Sequence, residues 1–382
     1  MRRVSDLGFL RSRLPPGPND AITDVPGVAV GHFTLIADSE MDEAGHGTYR
    51  TGVTVILPHQ GNLYEESVPA AVHTINGYGK PIGFEQVREM GSIETPIALT
   101  GTLNVPRVAD ALITVAIEQN PLIGSVNPLV AETNDGFLSD IQGRPIGEPE
   151  VRAALARATD GHVREGVVGA GTGTQCFGWK GGIGTASRVI PARHTVGALV
   201  QSNFGAPHDL TIAGVPIGLH LLPPGRHLQP PGKQRESPGG SIVIVLATDA
   251  PLETHCLERL AKRVDLALAR TGSVGHNGSG DFVIAFSTGY RIPRALPPAG
   301  QSGPRLVPSD SMFNDLSVAV VESVEEAIYN SLFAAHTVVG RGGNTRHALP
   351  LEAVVAIIEK EAGSIAWAPH WQRIPEVKPV KS

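Results

Sequence analysis

The sequence has little cysteine. Its 382 residues contain two, Cys176 and Cys256, eighty positions apart, which excludes a disulfide framework and a cysteine-rich zinc site. None of the fourteen histidines forms an H-x-x-x-H pair, so no metal is expected, and no motif calls for a cofactor. Long apolar runs are missing too: no stretch reaches the roughly 20 residues of a membrane span. The opening MRRVSDLGFLRSRLPPGPND has basic residues without the apolar core of a secretory signal. Positive charge is not in excess, with 31 Lys and Arg against 37 Asp and Glu, and no basic block exceeds a few residues. That argues against nucleic acid and anionic membranes as partners. The expectation is a cytoplasmic protein that acts on a small molecule.

What is abundant is glycine and proline, 45 and 31 residues, mostly punctuating apolar runs in the manner of a sheet protein with many turns. Strands are predicted at Val28–Ile36, Gly52–Leu57, Thr195–Ser202, Leu210–Leu222, 241–248 and Phe282–Ser287. Helices are predicted at Val105–Gln119, Leu252–Ala269, Asp315–Ala335 and Leu351–Ala362. Strands and helices in blocks, without regular alternation, indicate an α+β class.

One junction stands out. Residues 223–240 are dense in Pro, Gly and charge and read as a flexible linker, yet Gly240 runs directly into Ser241 and the apolar β-branched stretch Ile242–Leu246, a strand buried on both faces. Two readings stand: a linker whose next strand begins with serine, or a self-cleavage site where the Ser241 hydroxyl attacks the Gly240 carbonyl and the freed amine becomes a base.

Other polar positions are open in the same way. The Gly-rich stretch GVVGAGTGTQCFGWKGGIG at 166–184 fails the P-loop pattern, because Trp179 separates Gly178 from Lys180 and no Ser or Thr follows. Its glycines serve tight turns and close backbone approach. Asn203 in Ser202-Asn203-Phe204-Gly205 is a turn former or an oxyanion donor. Ser279 and Asp281 are turn residues or, two apart on an extended chain, a pair facing one site. Glu132 is a solvated loop acid or an anchor for a substrate ammonium. No G-x-S-x-G elbow occurs.

Taken together, Ile22-Thr23-Asp24-Val25-Pro26-Gly27-Val28, Val30-Gly31-His32, Ala131-Glu132-Thr133, Ser202-Asn203-Phe204-Gly205, Gly239-Gly240-Ser241 and Asn277-Gly278-Ser279-Gly280-Asp281 resemble, in order and spacing, the L-aminopeptidase/D-Ala-esterase/amidase (DmpA) family and the related β-peptidyl aminopeptidases. The resemblance implies a four-layer αββα sandwich like that of N-terminal nucleophile hydrolases. It implies one catalytic domain over 1–382, cut into 1–240 and 241–382, with the two chains staying associated in a homo-oligomer, a tetramer of processed protomers. Ser241 is then the nucleophile of both cleavage and catalysis and Asn203 the oxyanion donor. Ser279 and Asp281 hydrogen-bond around the nucleophile, and Glu132 receives the substrate amine. The implied substrates are peptides, amides or esters of small amino acids with a free amino group. Some β-peptidyl members carry Glu at the position of Asp281, which leaves a β-amino-acid preference open. The rival readings are an acyltransferase of the ornithine acetyltransferase type, which usually has a threonine nucleophile, and a non-catalytic two-lobed binding protein.

Overall fold

The computed structural model describes residues 3–8, 10, 12–38, 47–227, 240–295 and 306–364. Two sheets lie face to face. The first takes β1 (Ala29–Asp38), β2 (Thr48–Leu57), β4 (Ile97–Gly101) and β5 (Leu129–Thr133), in the order β1-β2-β4-β5 with only the last pair parallel. The second is built on β3 (Glu66–Gly77), β6 (Ile183–Val189), β7 (Thr195–Asn203), β8 (Gly240–Thr248) and β9 (Ser279–Ser287), in the order β3-β9-β8-β7-β6. In it only β8 and β9 run parallel. A parallel pair needs a crossover, and α4 (Thr254–Ala261) and α5 (Val264–Arg270) supply it.

Alternation along β8 explains why its apolar run is unbroken. Val243, Val245 and Ala247 pack between the sheets with Leu99, Ala131 and Leu199. Ile242, Ile244 and Leu246 pack outward under α4, α5 and α6 (Asp310–Phe333), against Leu257, Leu260, Leu316 and Val320. Each such side chain contributes roughly 1.5–3 kcal/mol on burial. On the far side of the first sheet, α2 (Val105–Gln119) and α3 (Glu148–Ala156) bury Val108, Leu112, Val151 and Ala154 on Val53, Val55 and Val130. The short α1 (Phe84–Met90) packs Phe84 and Val87 into the inter-sheet core. The result is helix, sheet, sheet, helix, the αββα order expected.

Three predicted elements differ. Leu210–Leu222 is not a strand: Ala213 and Gly214 adopt φ of 51° and 82°, so the chain doubles back in a bridge between Ile212 and Val215 and then forms a 3₁₀ turn at Ile217–Leu219. The helix predicted over Leu252–Ala269 is two helices broken at Lys262–Arg263. Its apolar spacing of four overshoots a 3.6-residue turn, and the break re-aims Val264, Ala267 and Leu268 at the core. The helix predicted from Asp315 begins at Asp310, where the Ser309 hydroxyl accepts the Met312 N–H at 3.2 Å as N-cap. The last helix, α7, covers Leu351–Ser364.

The glycine stretch allows the close approach expected of it: a methyl on Gly184 would stand 1.9 Å from the Ala327 carbonyl of α6, and one on Gly182 would stand 2.1 Å from the Gly166 carbonyl. A buried ion network also joins distant parts of the chain. Arg188 on β6 meets Glu326 at 2.5 Å, with Glu322 and Asp20 each at 3.4 Å. Removing one partner from such a cluster costs about 3–5 kcal/mol, because the others stay buried and uncompensated. Within the linker assigned to 223–240, residues 228–239 lie outside the described residues.

Candidate active site

Ser241 follows Gly240 at the start of β8, 4 % exposed, at the level where three strands end together: it pairs with Asn203 on β7 and with Gly280 on β9, while Gly240 pairs with Ser279. The sequence folds this way because the apolar run pulls β8 into the centre of the sheet and leaves the polar side chain that precedes it at the rim. The Ser241 hydroxyl donates to the Gly240 carbonyl oxygen at 2.5 Å, so it lies against the peptide bond that precedes it. Among the described residues, no histidine or lysine hydrogen-bonds to that hydroxyl.

Asn203 stands on the face of β7 that carries Leu199 and Gln201, the face turned to the other sheet. Its Oδ1 accepts the Gln175 N–H at 3.0 Å and its Nδ2 donates to the Asn134 carbonyl at 3.0 Å. One amide hydrogen is thereby left for an incoming oxygen. Gln201 holds the two sheets in step here, its Nε2 reaching the Thr100 carbonyl at 3.1 Å, the Thr133 hydroxyl at 2.9 Å and the Ala170 carbonyl at 3.0 Å.

Ser279 and Asp281 are buried and bonded to each other, the hydroxyl donating to the carboxylate at 2.6 Å. Burial pushes the Asp281 carboxyl above the usual carboxylate range, against the opposing pull of the Ser279 bond, the Ile242 backbone and His276. In the intact chain this pair satisfies itself while Ser241 turns to Gly240.

Glu132, on β5 of the opposite sheet, is 2 % exposed. Its Oε1 accepts the Lys80 N–H at 3.1 Å, with the Lys80 ammonium at 3.6 Å. Its Oε2 is buried and has no partner. A solvated loop acid would not look like this; an unpaired buried carboxylate oxygen is a place for a cation. The Gly77–Lys80 turn links it to the strand rim, since Gly77 pairs with Gly280 beside Ser241. A cleft of about 380 Å³ opens at this turn, lined by Thr74, Gly77, Gly79, Phe84, Asn127 and Phe282. A methyl on Gly79 would come within 3.2 Å of Glu132 Oε1 and 2.4 Å of the Phe282 ring, so glycine keeps the wall between cleft and carboxylate thin.

Two further ionisable groups are buried here, Asp135, the next candidate after Glu132 for a substrate ammonium, and Lys180 of the glycine stretch. Asp135 is fully buried, and burial raises its carboxyl to about 6. Lys180 is also fully buried, and its Nζ donates to the carbonyls of Gly171, Thr174 and Gly181 at 3.0, 2.8 and 2.7 Å. Burial drives its amine down to about 7, yet three carbonyl acceptors need three N–H donors, which only the ammonium has, so the hydrogen-bond geometry describes the charged form. Among the described residues, no group of three or more His, Cys, Asp or Glu could hold a metal ion, and no helix is long and apolar enough to cross a membrane.

A two-sheet sandwich between helix layers, with a serine, an amide and two acids gathered at one end, defines a hydrolase of the N-terminal nucleophile type. Residues 20–346 match the profile of peptidase family S58, and the chain belongs to that family. It is 40 % identical over 372 residues to the β-peptidyl aminopeptidase BapA of Sphingosinicella microcystinivorans, covering 94 % of this chain and 92 % of that one. Among solved structures it is similar to the PH0078 protein of Pyrococcus horikoshii OT3, with TM-score 0.86 and 46 % identity over 94 % of this chain and 99 % of the other. It is also similar to the L-aminopeptidase D-Ala-esterase/amidase of Ochrobactrum anthropi, a prototype of the serine aminopeptidases, with TM-score 0.83 and 36 % identity over 95 % and 99 % of the two chains. The chain is therefore an aminopeptidase, and neither the acyltransferase nor the binding-protein reading finds support.

Proposed function

We propose that this aminopeptidase matures by cutting itself between Gly240 and Ser241, and that the freed Ser241 removes small N-terminal residues from peptides, amides or esters with an unblocked amine. The observation that carries the reading is the Ser241 hydroxyl on the Gly240 carbonyl at 2.5 Å, beside Asn203 and, among the described residues, without a histidine or lysine partner. A serine hydroxyl needs a base, and an α-amine, whose reference pKa is about 7.7–8.0, can serve once the bond is cut. The amine takes the hydroxyl proton, Oγ forms a bond to the substrate carbonyl carbon, and the Asn203 amide donates to the oxyanion. The leaving amine departs with a proton, and water then releases the acyl group. Ser279 and Asp281, on the strand beside Ser241, would hydrogen-bond around the nucleophile. The processed chains stay associated, in a cytoplasmic homo-oligomer of protomers that each form one catalytic domain. Purified protein should contain chains of 240 and 142 residues by intact mass, from residues 1–240 and 241–382. A fully uncut preparation that hydrolyses amino-acid amides at the full rate would overturn the mechanism.

Glu132 would read the free amine. Its unpartnered Oε2 suits a substrate ammonium, while Lys80 keeps the other oxygen engaged. Hydrogen bonds to a charge contribute roughly 1.5–3 kcal/mol, so Glu132→Gln should lower kcat/KM on the order of ten- to a hundredfold for free-amine substrates. It should leave self-cleavage intact, since no substrate ammonium takes part there. Comparing free and N-acetylated amides tests the assignment: a variant that cuts itself and still prefers the free amine as strongly as wild type places the anchor elsewhere.

A further inference from the structure

A lysine with no exposed surface is costly to bury, and among the described residues this one makes no direct ion pair: all three of its donors end on backbone carbonyls of one short loop, with the Asp135 carboxyl as the buried charge that favours its ammonium. That loop contains Gln175, whose N–H is not used in the hairpin with Trp179–Lys180 but points at Asn203 Oδ1. The direction matters because Asn203 has two possible amide orientations. With Oδ1 on the Gln175 N–H and Nδ2 on the Asn134 carbonyl, both contacts are favourable; the flipped amide would set donor against donor and acceptor against acceptor. The Gln175 N–H therefore helps decide which end of the amide can donate, and it belongs to the same peptide unit as the Thr174 carbonyl, which accepts the Lys180 ammonium at 2.8 Å and, at a longer 3.3 Å, the Gly181 N–H.

We infer that Lys180 is a positioning residue for hydrolysis: its ammonium gathers the carbonyls of Gly171, Thr174 and Gly181 and so fixes the Gln175 N–H that orients Asn203 as oxyanion donor. The flanks of the loop are tied elsewhere, by the Lys180 N–H on the His347 carbonyl at 2.8 Å, the Phe177 N–H on the Phe204 carbonyl at 2.7 Å and Arg346 Nε on Gln175 Oε1 at 2.5 Å. The loop should thus remain docked without the ammonium, with its middle loosened. This inference rests on Asn203 being the oxyanion donor.

The test is a double-mutant cycle read in kcat and KM on a free-amine amide. Lys180→Met should lower kcat on the order of ten- to a hundredfold with KM within a few-fold, the scale of a misplaced catalytic group. In an Asn203→Ala background the same change should add almost nothing, because it acts through the amide already removed. Gln175→Pro, which deletes the N–H that Asn203 accepts along with the Oε1 contact to Arg346, should reproduce both results when measured against Gln175→Ala, which loses the same side-chain contact but keeps the N–H, and it carries the test if Lys180→Met does not fold. If Asn203→Ala lowers kcat while Gln175→Pro and any folded Lys180→Met leave it at the wild-type value, or if their losses multiply with that of Asn203→Ala, the positioning role is wrong. If Asn203→Ala itself leaves kcat unchanged, the donor assignment falls and the positioning role with it.

Discussion

Ser241→Ala should be isolated as one uncut chain of 382 residues with no measurable amide hydrolysis. The substitution removes the hydroxyl that lies on the Gly240 carbonyl, so the acyl shift that would break the bond has no nucleophile. With the bond intact there is no α-amine to act as base, so nucleophile and base are lost together. The loss should be on the order of 10⁶ in kcat, the scale found when the serine of a hydrolase triad is deleted. Ser241 is small and its backbone pairings to Asn203 and Gly280 do not depend on the hydroxyl, so the fold and its unfolding midpoint should change little. Mass spectrometry and initial rates decide the matter. A cleaved alanine variant rules out Ser241 as the nucleophile of processing, and one that turns over substrate rules it out as the nucleophile of hydrolysis.

Asn203→Ala should process slowly and lose about 10² to 10³ in kcat, the cost of removing one oxyanion donor, with KM nearly unchanged, because the contact strengthens only as charge develops on the substrate oxygen. It also strands the Gln175 N–H and the Asn134 carbonyl, so a stability loss of about 1–3 kcal/mol should accompany it. Asn203→Asp separates the two effects: it keeps the size and an acceptor for Gln175 but offers no donor. Recovery of kcat in the aspartate variant would show that the amide hydrogen is not what matters.

Much of this site was legible in the sequence because its logic is local. The apolar run after Ser241 could be nothing but a strand buried on both faces, and a polar residue at its head had to fall at the sheet's rim. Asn203 and Ser279 each sit at the end of a strand for the same reason. What was not legible depends on partners distant in sequence or on backbone groups. Once the P-loop pattern fails, nothing in the sequence marks Lys180, because its acceptors are carbonyls, which every residue has. The orphan oxygen of Glu132 is defined by the Gly77–Lys80 turn, some fifty residues upstream. The Leu210–Leu222 stretch misled because its apolar residues fill the core from a folded-back turn, where composition is the same as in a strand.

The strand order of the second sheet decides what kind of object a molecule cut before Ser241 would be. β8 and β9, from the later segment, lie between β3 on one side and β7 on the other, both from the earlier segment. The two fragments would be interleaved like the fingers of clasped hands, and neither could leave without opening two hydrogen-bonded ladders and the Arg188 ion network. Dilution alone would not part them. Once unfolded, however, they would be two separate solutes, and regaining the structure would be a second-order event whose yield falls as the protein is diluted. Such an enzyme would have its unimolecular folding available once, before the cut, and would thereafter persist by slow unfolding rather than by reversible refolding.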